Sequence, residues 1–513
     1  MRIDINKIIK IIAMKKLMIL FSGIIMVAGM GCKKDYLDIN SNPNTATNTT
    51  PELVLPNALN STAARQINGG ASNYTFISGW MGYWAVSGSY ALNTSDFSTY
   101  KQTTFFGDGL WSDIYNNLED YDYIEQQGIA QNKPFYEAAA KIMKAYNFQQ
   151  LVDMFNNVPY SDAFKGTTAI TPKFDAGQDI YDSLVININS AVALLARTDA
   201  QADASSDILF GGDTEKWRQF ANSLKLRILM RQSQVASRTS YIQTEIANTV
   251  AEGSGFLTVE AGVNPGYINS AGKQNPFYGS SINPSGTYIQ DFWRANQYSV
   301  QFFKDNNDPR LTLVYGPTPS NSSLYQGNYL GQSNNAYVGS ASSIFGPGVL
   351  KSFDQDAIIM SAAESYFLQA EAALRGWLDA DVQSLYQAGV TASFEYLGVP
   401  DADAAAEAYT DQPGNSNVYW DESQSFNYKL ALIIRQKWAA ENTVTPFEAW
   451  ADYRRLHLPA DIQLSQSPYV DILLIPYRVK YPNIEYSTNA ENVNAVTPQG
   501  DNYHQTDKIW WMP

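Results

Sequence analysis

The segment that begins at Pro134 most constrains the fold of this chain. Proline favours the first position of a helix, where its missing N–H is no loss. Asn156 to Pro159 closes the segment, because asparagine favours turns and proline cannot continue a helix. The pattern predicts a long amphipathic helix in a mainly α-helical protein. Apolar residues mark one face of it for about six turns: Phe135, Ala138, Ile142, Ala145, Phe148, Val152 and Phe155.

The same helical periodicity recurs in other parts of the chain. Asp213 is a good N-cap, and Trp217 lies on the apolar stripe that follows it. Helix pairs joined by turns suggest a tetratricopeptide-like scaffold, although no clean repeat of about 34 residues is present. The segments with helical spacing are approximately 109–124, 179–197, 213–228, 361–377, 382–397 and 428–441.

Residues 252–350 have a different composition from the helical segments. Gly, Ser, Asn, Pro and Tyr dominate, and only 297–304 has a helical pattern. A long stretch with little regular structure inside a compact protein is usually functional. We therefore expect residues 51–513 to form one domain. Its parts are N-terminal helices in 51–250, a loop-rich insertion in 252–350, C-terminal helices in 351–442 and a tail in 443–513 that is mostly loop.

The N-terminal region has the pattern of a secretory signal peptide. Lys15 and Lys16 precede the uncharged run Leu17–Gly31, which at 15 residues is shorter than the ~20 needed to span a bilayer. Met14 is a possible true start of the chain. We predict that residues 1–31 are removed as the signal peptide.

Cys32 is the only cysteine in the chain, and it directly follows a cluster of small residues. This arrangement resembles a bacterial lipobox, so we predict that Cys32 is lipidated. The alternative is a plain secreted protein with a leftover cysteine. Residues 32–50 are rich in Asn, Ser, Thr and Pro, which predicts a flexible tether.

Charge and residue counts exclude several classes of function. A formal net charge of −15 argues against a nucleic-acid-binding protein. One cysteine and two histidines, His457 and His504, cannot build a Cys-based zinc site or a disulfide framework. We predict no metal, no cofactor and no catalytic histidine. The carboxylate pairs Asp120/Asp122 and Glu364/Glu371 have the residue types of glycoside hydrolysis, but ion pairing is the structural alternative.

Aromatic residues are the class most informative about a ligand. The chain has 33 Tyr, 23 Phe and 11 Trp. Aromatic rings stack on the flat C–H faces of sugars, while short polar side chains bond the hydroxyl edges. We expect the ligand to contact residues 80–100 and 278–337, and we expect Trp80 to be core instead. The predicted site residues are Trp84, Tyr90, Tyr288 and Trp293, with Asn93, Asp291 or Arg294 as polar neighbours, followed by Tyr278 and Tyr325. Packing remains the alternative for each ring.

Several motifs, in order along the chain, resemble the SusD/RagB family of surface nutrient-binding lipoproteins. The Asn42-Pro43-Asn44 opening and the Trp510-Trp511 ending are similar to its SusD-like-2 branch. The other matching segments are Cys32–Asp38, Leu110–Asn117, Leu151–Tyr160, Trp217–Arg231, Asp308–Arg310, Ala363–Ala372, Arg435–Trp438 and Trp450–Arg455.

The resemblance implies a non-catalytic binding protein with a mainly α-helical, tetratricopeptide-like scaffold and a large loop-rich ligand-binding part. It further implies a lipid anchor in the outer membrane, facing the cell exterior. The implied partners are an oligosaccharide, or in some cases a peptide, and a SusC-like TonB-dependent transporter that receives it. Two alternatives remain at this point, a lipid-anchored glycoside hydrolase and a purely structural surface protein.

Overall fold

A computed structural model describes residues 49–66, 73–90 and 93–513. The signal peptide, Cys32 and nearly all of the tether lie outside the described residues. Among those residues, no helix is long and apolar enough to cross a membrane.

The described part of the chain is mainly α-helical, as predicted. In the N-terminal half the helices are α1 Pro51–Ala64, α2 Thr75–Trp80, α3 Asp96–Thr99, α4 Asp108–Ala130, α5 Pro134–Phe155, α6 Gly177–Leu195, α7 Thr214–Arg231, α8 Thr239–Glu252 and α9 Pro276–Ser281. They continue as α10 Gln297–Asp305, α11 Leu311–Val314, α12 Ala362–Leu374, α13 Val382–Leu397, α14 Ala402–Thr410, α15 Phe426–Glu441, α16 Pro446–Leu456, α17 Asn483–Thr488, α18 Ala490–Val496 and α19 Tyr503–Thr506.

Consecutive helices pack in pairs, which confirms the tetratricopeptide-like scaffold. Helix α5 packs between α4 and α6, and α13 packs between α12 and α14. The predicted ends are close to the observed ones, because the capping residues act as expected. Asp213 accepts hydrogen bonds from the N–H groups of Glu215 and Lys216, and Ser361 accepts one from Glu364.

Helix α5 is buried on all sides from Ala145 to Phe155, whereas Glu137, Lys141 and Lys144 remain partly exposed in its first half. Its polar residues Asn147, Gln149, Gln150 and Asp153 are buried together with the apolar stripe. The predicted apolar face is buried as expected, but beyond Ala145 the opposite face is buried as well, because neighbouring helices cover it. The Asp153 carboxylate is satisfied there by the indole N–H of Trp511 at 2.8 Å, so its burial leaves no free acceptor.

A chain of buried ion pairs joins five helices. We call it the ion network: Asp153 of α5, Arg227 and Arg231 of α7, Glu364 and Glu371 of α12, Lys437 of α15, and Asp452 and Arg455 of α16. The N···O distances are 2.7 Å for Arg227–Glu364, 3.1 Å for Arg231–Asp153, 2.7 Å for Lys437–Asp452 and 2.5 Å for Arg455–Glu371.

The ion network decides the role of Glu364 and Glu371. Both carboxylates are buried and paired with arginines, as the structural alternative stated, so a polysaccharide cannot reach them. Burial alone would raise the pKa of Glu371, but the Arg455 guanidinium outweighs it and holds that pKa below its ordinary value.

The tail, residues 443–513, contains a buried helix, α16, that could not be recognised from its composition. Residues 443–513 are mostly loop, as expected, but α16 was missed in that expectation. Its charged residues suggest an exposed segment, whereas Asp452, Arg454 and Arg455 are all buried. Their charges are compensated by ion pairs with other helices and by the carbonyl oxygens of Asp153 and Tyr477, which a linear sequence does not reveal.

The loop-rich insertion is attached to the N-terminal helices through short antiparallel strands. Strand β1 (Trp84–Val86) pairs with β5 (Trp293–Ala295), so that Val86 lies opposite Trp293. The other pairs are β2 (Val158–Pro159) with β3 (Phe174–Asp175) and β4 (Ala261–Val263) with β6 (Ala357–Met360). Helix α10 confirms the predicted helical patch, while the short helices α9 and α11 were not predicted. The β1–β5 pairing positions the candidate site.

Candidate functional site

Three loop segments meet just beyond the β1–β5 pair. The N–H of Ser87 donates to the carbonyl oxygen of Phe292 at 2.8 Å, and that of Gly88 donates to Tyr337 at 2.8 Å. The N–H of Gly339 donates to the Ser89 hydroxyl at 3.2 Å. These bonds bring segments 87–90, 288–294 and 337–339 to one surface. We call its exposed or half-exposed side chains the platform: Tyr90, Ile289, Asp291, Phe292, Tyr337 and Val338.

Two glycines allow the three segments to approach this closely. A Cβ atom at Gly88 would lie 2.5 Å from the carbonyl oxygen of Ala336. A Cβ atom at Gly339 would lie 2.0 Å from Oδ1 of Asp291. Both distances are far below van der Waals contact, so a larger residue at Gly88 would push the two backbones apart, and one at Gly339 would displace the Asp291 carboxylate.

The platform exposes flat and apolar side chains. Tyr90 and Tyr337 each expose 42% of their surface, and Ile289 and Val338 are also exposed. The Tyr90 ring meets Phe292 edge-on, with centroids 5.2 Å apart and an interplanar angle of 61°. Phe292 in turn meets the buried Trp293 ring at 5.0 Å and 88°. The exposed ring is thus braced from below, as a surface that stacks on a sugar must be.

An ion pair lies beside the rings, with its carboxylate at the surface. Nη2 of Arg294 is 2.8 Å from Oδ1 of Asp291, and the Tyr90 hydroxyl is 3.4 Å from Oδ2. Arg294 also donates from Nη1 to the carbonyl oxygens of Gln290 at 2.6 Å and Trp293 at 2.9 Å. Its Nε donates to Gly339 at 3.2 Å. Arg294 therefore fixes the segments that carry the platform.

Three of the predicted site residues are buried, and the expectation that they contact ligand is corrected here. Trp84 is fully buried between Phe277, Trp293 and Phe345, and its indole N–H donates to the Thr443 hydroxyl at 2.8 Å. A ring without exposed surface cannot stack on a ligand. Trp293 and Arg294 are buried directly under the platform, where they support it instead of touching a ligand. Trp80 is core, as expected.

The other predicted residues are half-buried or lie in different surroundings. Tyr288 packs near Arg294, 5.9 Å from ring centroid to guanidinium, and burial raises its pKa to about 12. Asn93 accepts a hydrogen bond from the Ser467 hydroxyl through its carbonyl oxygen. Tyr278 lies in α9, and the carbonyl oxygen of Tyr325 accepts from Lys304 at 2.7 Å. Of the predicted set, only Tyr90 presents an exposed ring at the platform.

Sequence reasoning did not single out Ile289 and Val338. It also did not rank Phe292 and Tyr337 among the leading candidates, where it put two tryptophans instead. The signal that could have found them is their position beside short polar residues in loops, where an apolar side chain often stays exposed. Tryptophan, the largest apolar side chain, is highly buried on average, and that tendency outweighed the polar neighbours of Trp84.

The two histidines lie away from the platform. Burial lowers the pKa of His504 to about 4, and its Nε2 lies 2.8 Å from the carbonyl oxygen of Tyr100. His457 follows the last residue of α16 in a left-handed conformation. Among the residues that the structure describes, no three His, Cys, Asp or Glu side chains are grouped as metal ligands.

Helix pairs that support a loop-built, aromatic surface define a class of helical binding scaffold. A family model, SusD-like 2, described as "Starch-binding associating with outer membrane", matches residues 43–482. The chain belongs to this family, which confirms the resemblance found in the sequence. Among proteins with curated functions, none matches this chain.

Solved structures of SusD-like proteins have the same fold. A SusD-like protein from Bacteroides thetaiotaomicron is 23% identical, covers 90% of this chain and 98% of its own, and has a TM-score of 0.73. A SusD homologue from Bacteroides uniformis is 24% identical, with coverages of 90% and 99% and a TM-score of 0.72. A chitin-binding SusD homologue from Flavobacterium johnsoniae is 24% identical, with coverages of 89% and 98% and a TM-score of 0.72. At these identities the likeness establishes the fold.

Proposed function

We propose that this protein is a non-catalytic binding protein that captures oligosaccharides at the platform. It is anchored through lipidated Cys32 to the outer membrane, faces the cell exterior and passes its ligand to a SusC-like TonB-dependent transporter. The observation that carries the binding proposal is the exposed Tyr90 ring braced by Phe292 at 5.2 Å. The family description supports a carbohydrate ligand and an outer-membrane location.

The size of the platform suits a protein that must release its cargo. An aromatic contact contributes about 0.5–1.5 kcal/mol beyond the buried area. Two exposed tyrosines and two aliphatic side chains therefore support only weak to moderate affinity. Rapid dissociation follows, as handover to a transporter requires.

Calorimetry with a panel of neutral hexasaccharides tests the proposal. The first probe is N-acetylchitohexaose, because one similar structure is of a chitin-binding protein. Tyr90→Ala should weaken binding roughly three- to tenfold, which corresponds to the loss of one stacking contact. Phe426→Ala is the matched control, because Phe426 has the same exposed fraction of 42% and packs near Arg375 on the scaffold.

Four results would contradict parts of the proposal. Wild-type affinity in Tyr90→Ala would place the site elsewhere. Release of reducing sugars from the panel would indicate a glycoside hydrolase, and binding of peptides alone would replace the ligand class. Purification from native outer membranes in mild detergent should recover a TonB-dependent transporter, and its absence would contradict the handover.

A further inference from the structure

We propose that the platform selects uncharged oligosaccharides and discriminates against glycans that carry carboxylates. This inference rests on the proposed function and specifies the substrate class of the same site. It follows from which charge of the Asp291–Arg294 ion pair is exposed to solvent.

The anion of this pair is exposed and the cation is buried. The Asp291 side chain exposes 55% of its surface, whereas that of Arg294 exposes 4%. Here an approaching ligand meets the carboxylate first.

Four of the five N–H donors of the Arg294 guanidinium are used inside the protein, and the side chain is almost completely buried, so it is not presented to a carboxylate of a ligand. Its Nη1 donates to two carbonyl oxygens, its Nε donates to Gly339, and its Nη2 is paired with Asp291. The Tyr288 ring lies close to the guanidinium as well. The Arg294 cation therefore acts inside the protein.

The Asp291 carboxylate lies where a stacked sugar would present its edge. Its Oδ2 is 3.4 Å from the Tyr90 hydroxyl, at the rim of the exposed ring. A carboxylate is an acceptor only, so it binds sugar hydroxyls and repels a uronate. The net charge of −15 adds a long-range repulsion of the same sign.

Matched pairs of probes that differ in charge test the inference. The probes are maltohexaose, cellohexaose, mannohexaose and N-acetylchitohexaose, each in its native form and with the C6 hydroxyls oxidised to carboxylates. For any native probe that binds, the oxidised form should bind at least about fivefold more weakly. That factor corresponds to about 1 kcal/mol, the repulsion of two unit charges ~4 Å apart in water.

Two further measurements separate charge from shape. Asp291→Asn should reduce the difference in affinity between native and oxidised probes, which we call the gap, and Asp199→Asn should leave it unchanged. Asp199 is a matched control, because it also pairs with an arginine and exposes 52% of its side chain. In wild-type protein, 0.5 M NaCl should narrow the gap as well, since screening acts on charge alone. The salt measurement holds even if Asp291→Asn does not fold.

The outcomes distinguish the inference from the function on which it rests. Oxidised probes that bind as tightly as native ones, or a gap that neither Asp291→Asn nor salt narrows, would overturn the inference and leave the binding function in place. Failure of every probe to bind, native and oxidised, would overturn both.

Discussion

The indole N–H of Trp217 donates a hydrogen bond of 2.8 Å to the carboxylate of Asp207, and both residues are buried. The same carboxylate accepts from the backbone N–H groups of Leu209 at 3.1 Å and Gly212 at 2.7 Å. Trp217 therefore closes the loop that precedes α7 in addition to filling the core. A single side chain here joins packing to loop geometry.

Trp217→Ala should lower the free energy of unfolding by roughly 3–5 kcal/mol, as large-to-small changes in a core do. Tyr366→Ala should cost clearly less, because Tyr366 is only half-buried in α12. Chemical denaturation followed by circular dichroism measures both. An equal loss of unfolding free energy in the two variants would contradict the expectation that the more deeply buried side chain contributes more.

Gly339→Ala should weaken ligand binding and leave the melting temperature nearly unchanged. The new Cβ would meet Oδ1 of Asp291 at 2.0 Å, so the carboxylate must move away from segment 337–339 and from its Arg294 partner at the platform. The scaffold helices are not involved. Calorimetry and thermal melting test this, with Ser340→Ala as the neighbouring exposed control. Unchanged affinity in Gly339→Ala would mean that the close contact between segments 288–294 and 337–339 is not required for ligand binding.

His504 should remain neutral down to about pH 4, because burial disfavours its charged form. The unfolded chain binds a proton near pH 6.5, so the free energy of unfolding should fall as the pH drops from 6.5 to 4, by roughly 2–3 kcal/mol. The chain has two histidines, so NMR of the imidazole signals can follow each. His457→Gln assigns them and should keep the pH dependence. Titration of His504 near 6.5 would contradict its burial.

Cys32→Ala should release the protein from membranes without changing its fold. The sole cysteine follows a cluster of small residues at the end of the apolar run, and a lipid chain is the only anchor that the sequence indicates. Fractionation after a salt wash measures the release. A variant that remains in the membrane fraction would disprove lipidation at Cys32.

Most of the long helices could be predicted because their signals are local, although α1, α8 and α14 were not among the predicted segments. Pro134, Asp213 and Ser361 open helices where periodicity begins, and these residues act within one turn of their own positions. Helix α16 was missed because its charges are compensated only by partners distant in sequence, such as Glu371 for Arg455.

The platform could be predicted only in part. Aromatic content and missing periodicity indicated two segments of chain that the structure brings together. Whether a ring points to the core or to the surface depends on the β1–β5 pair. Each strand is three residues long, which is too short for a pattern of alternating apolar and polar residues to be recognised in the sequence. Tyr90 and Asp291 are 201 positions apart. Trp84 and Tyr90 were therefore equivalent candidates in the sequence, although one is core and the other surface.

The ion network has a consequence for how the protein opens to solvent. Unfolding one of its five helices alone would strand buried charges in the others, at about 3–5 kcal/mol for each broken pair. Backbone amides of α5, α7, α12, α15 and α16 should therefore exchange with deuterium only through cooperative unfolding of the whole group. Platform amides such as those of Gly88 and Gly339 lie in loops and exchange through local fluctuations. Ligand binding should then slow amide exchange only at the platform, and the exchange rates of the scaffold helices should stay the same.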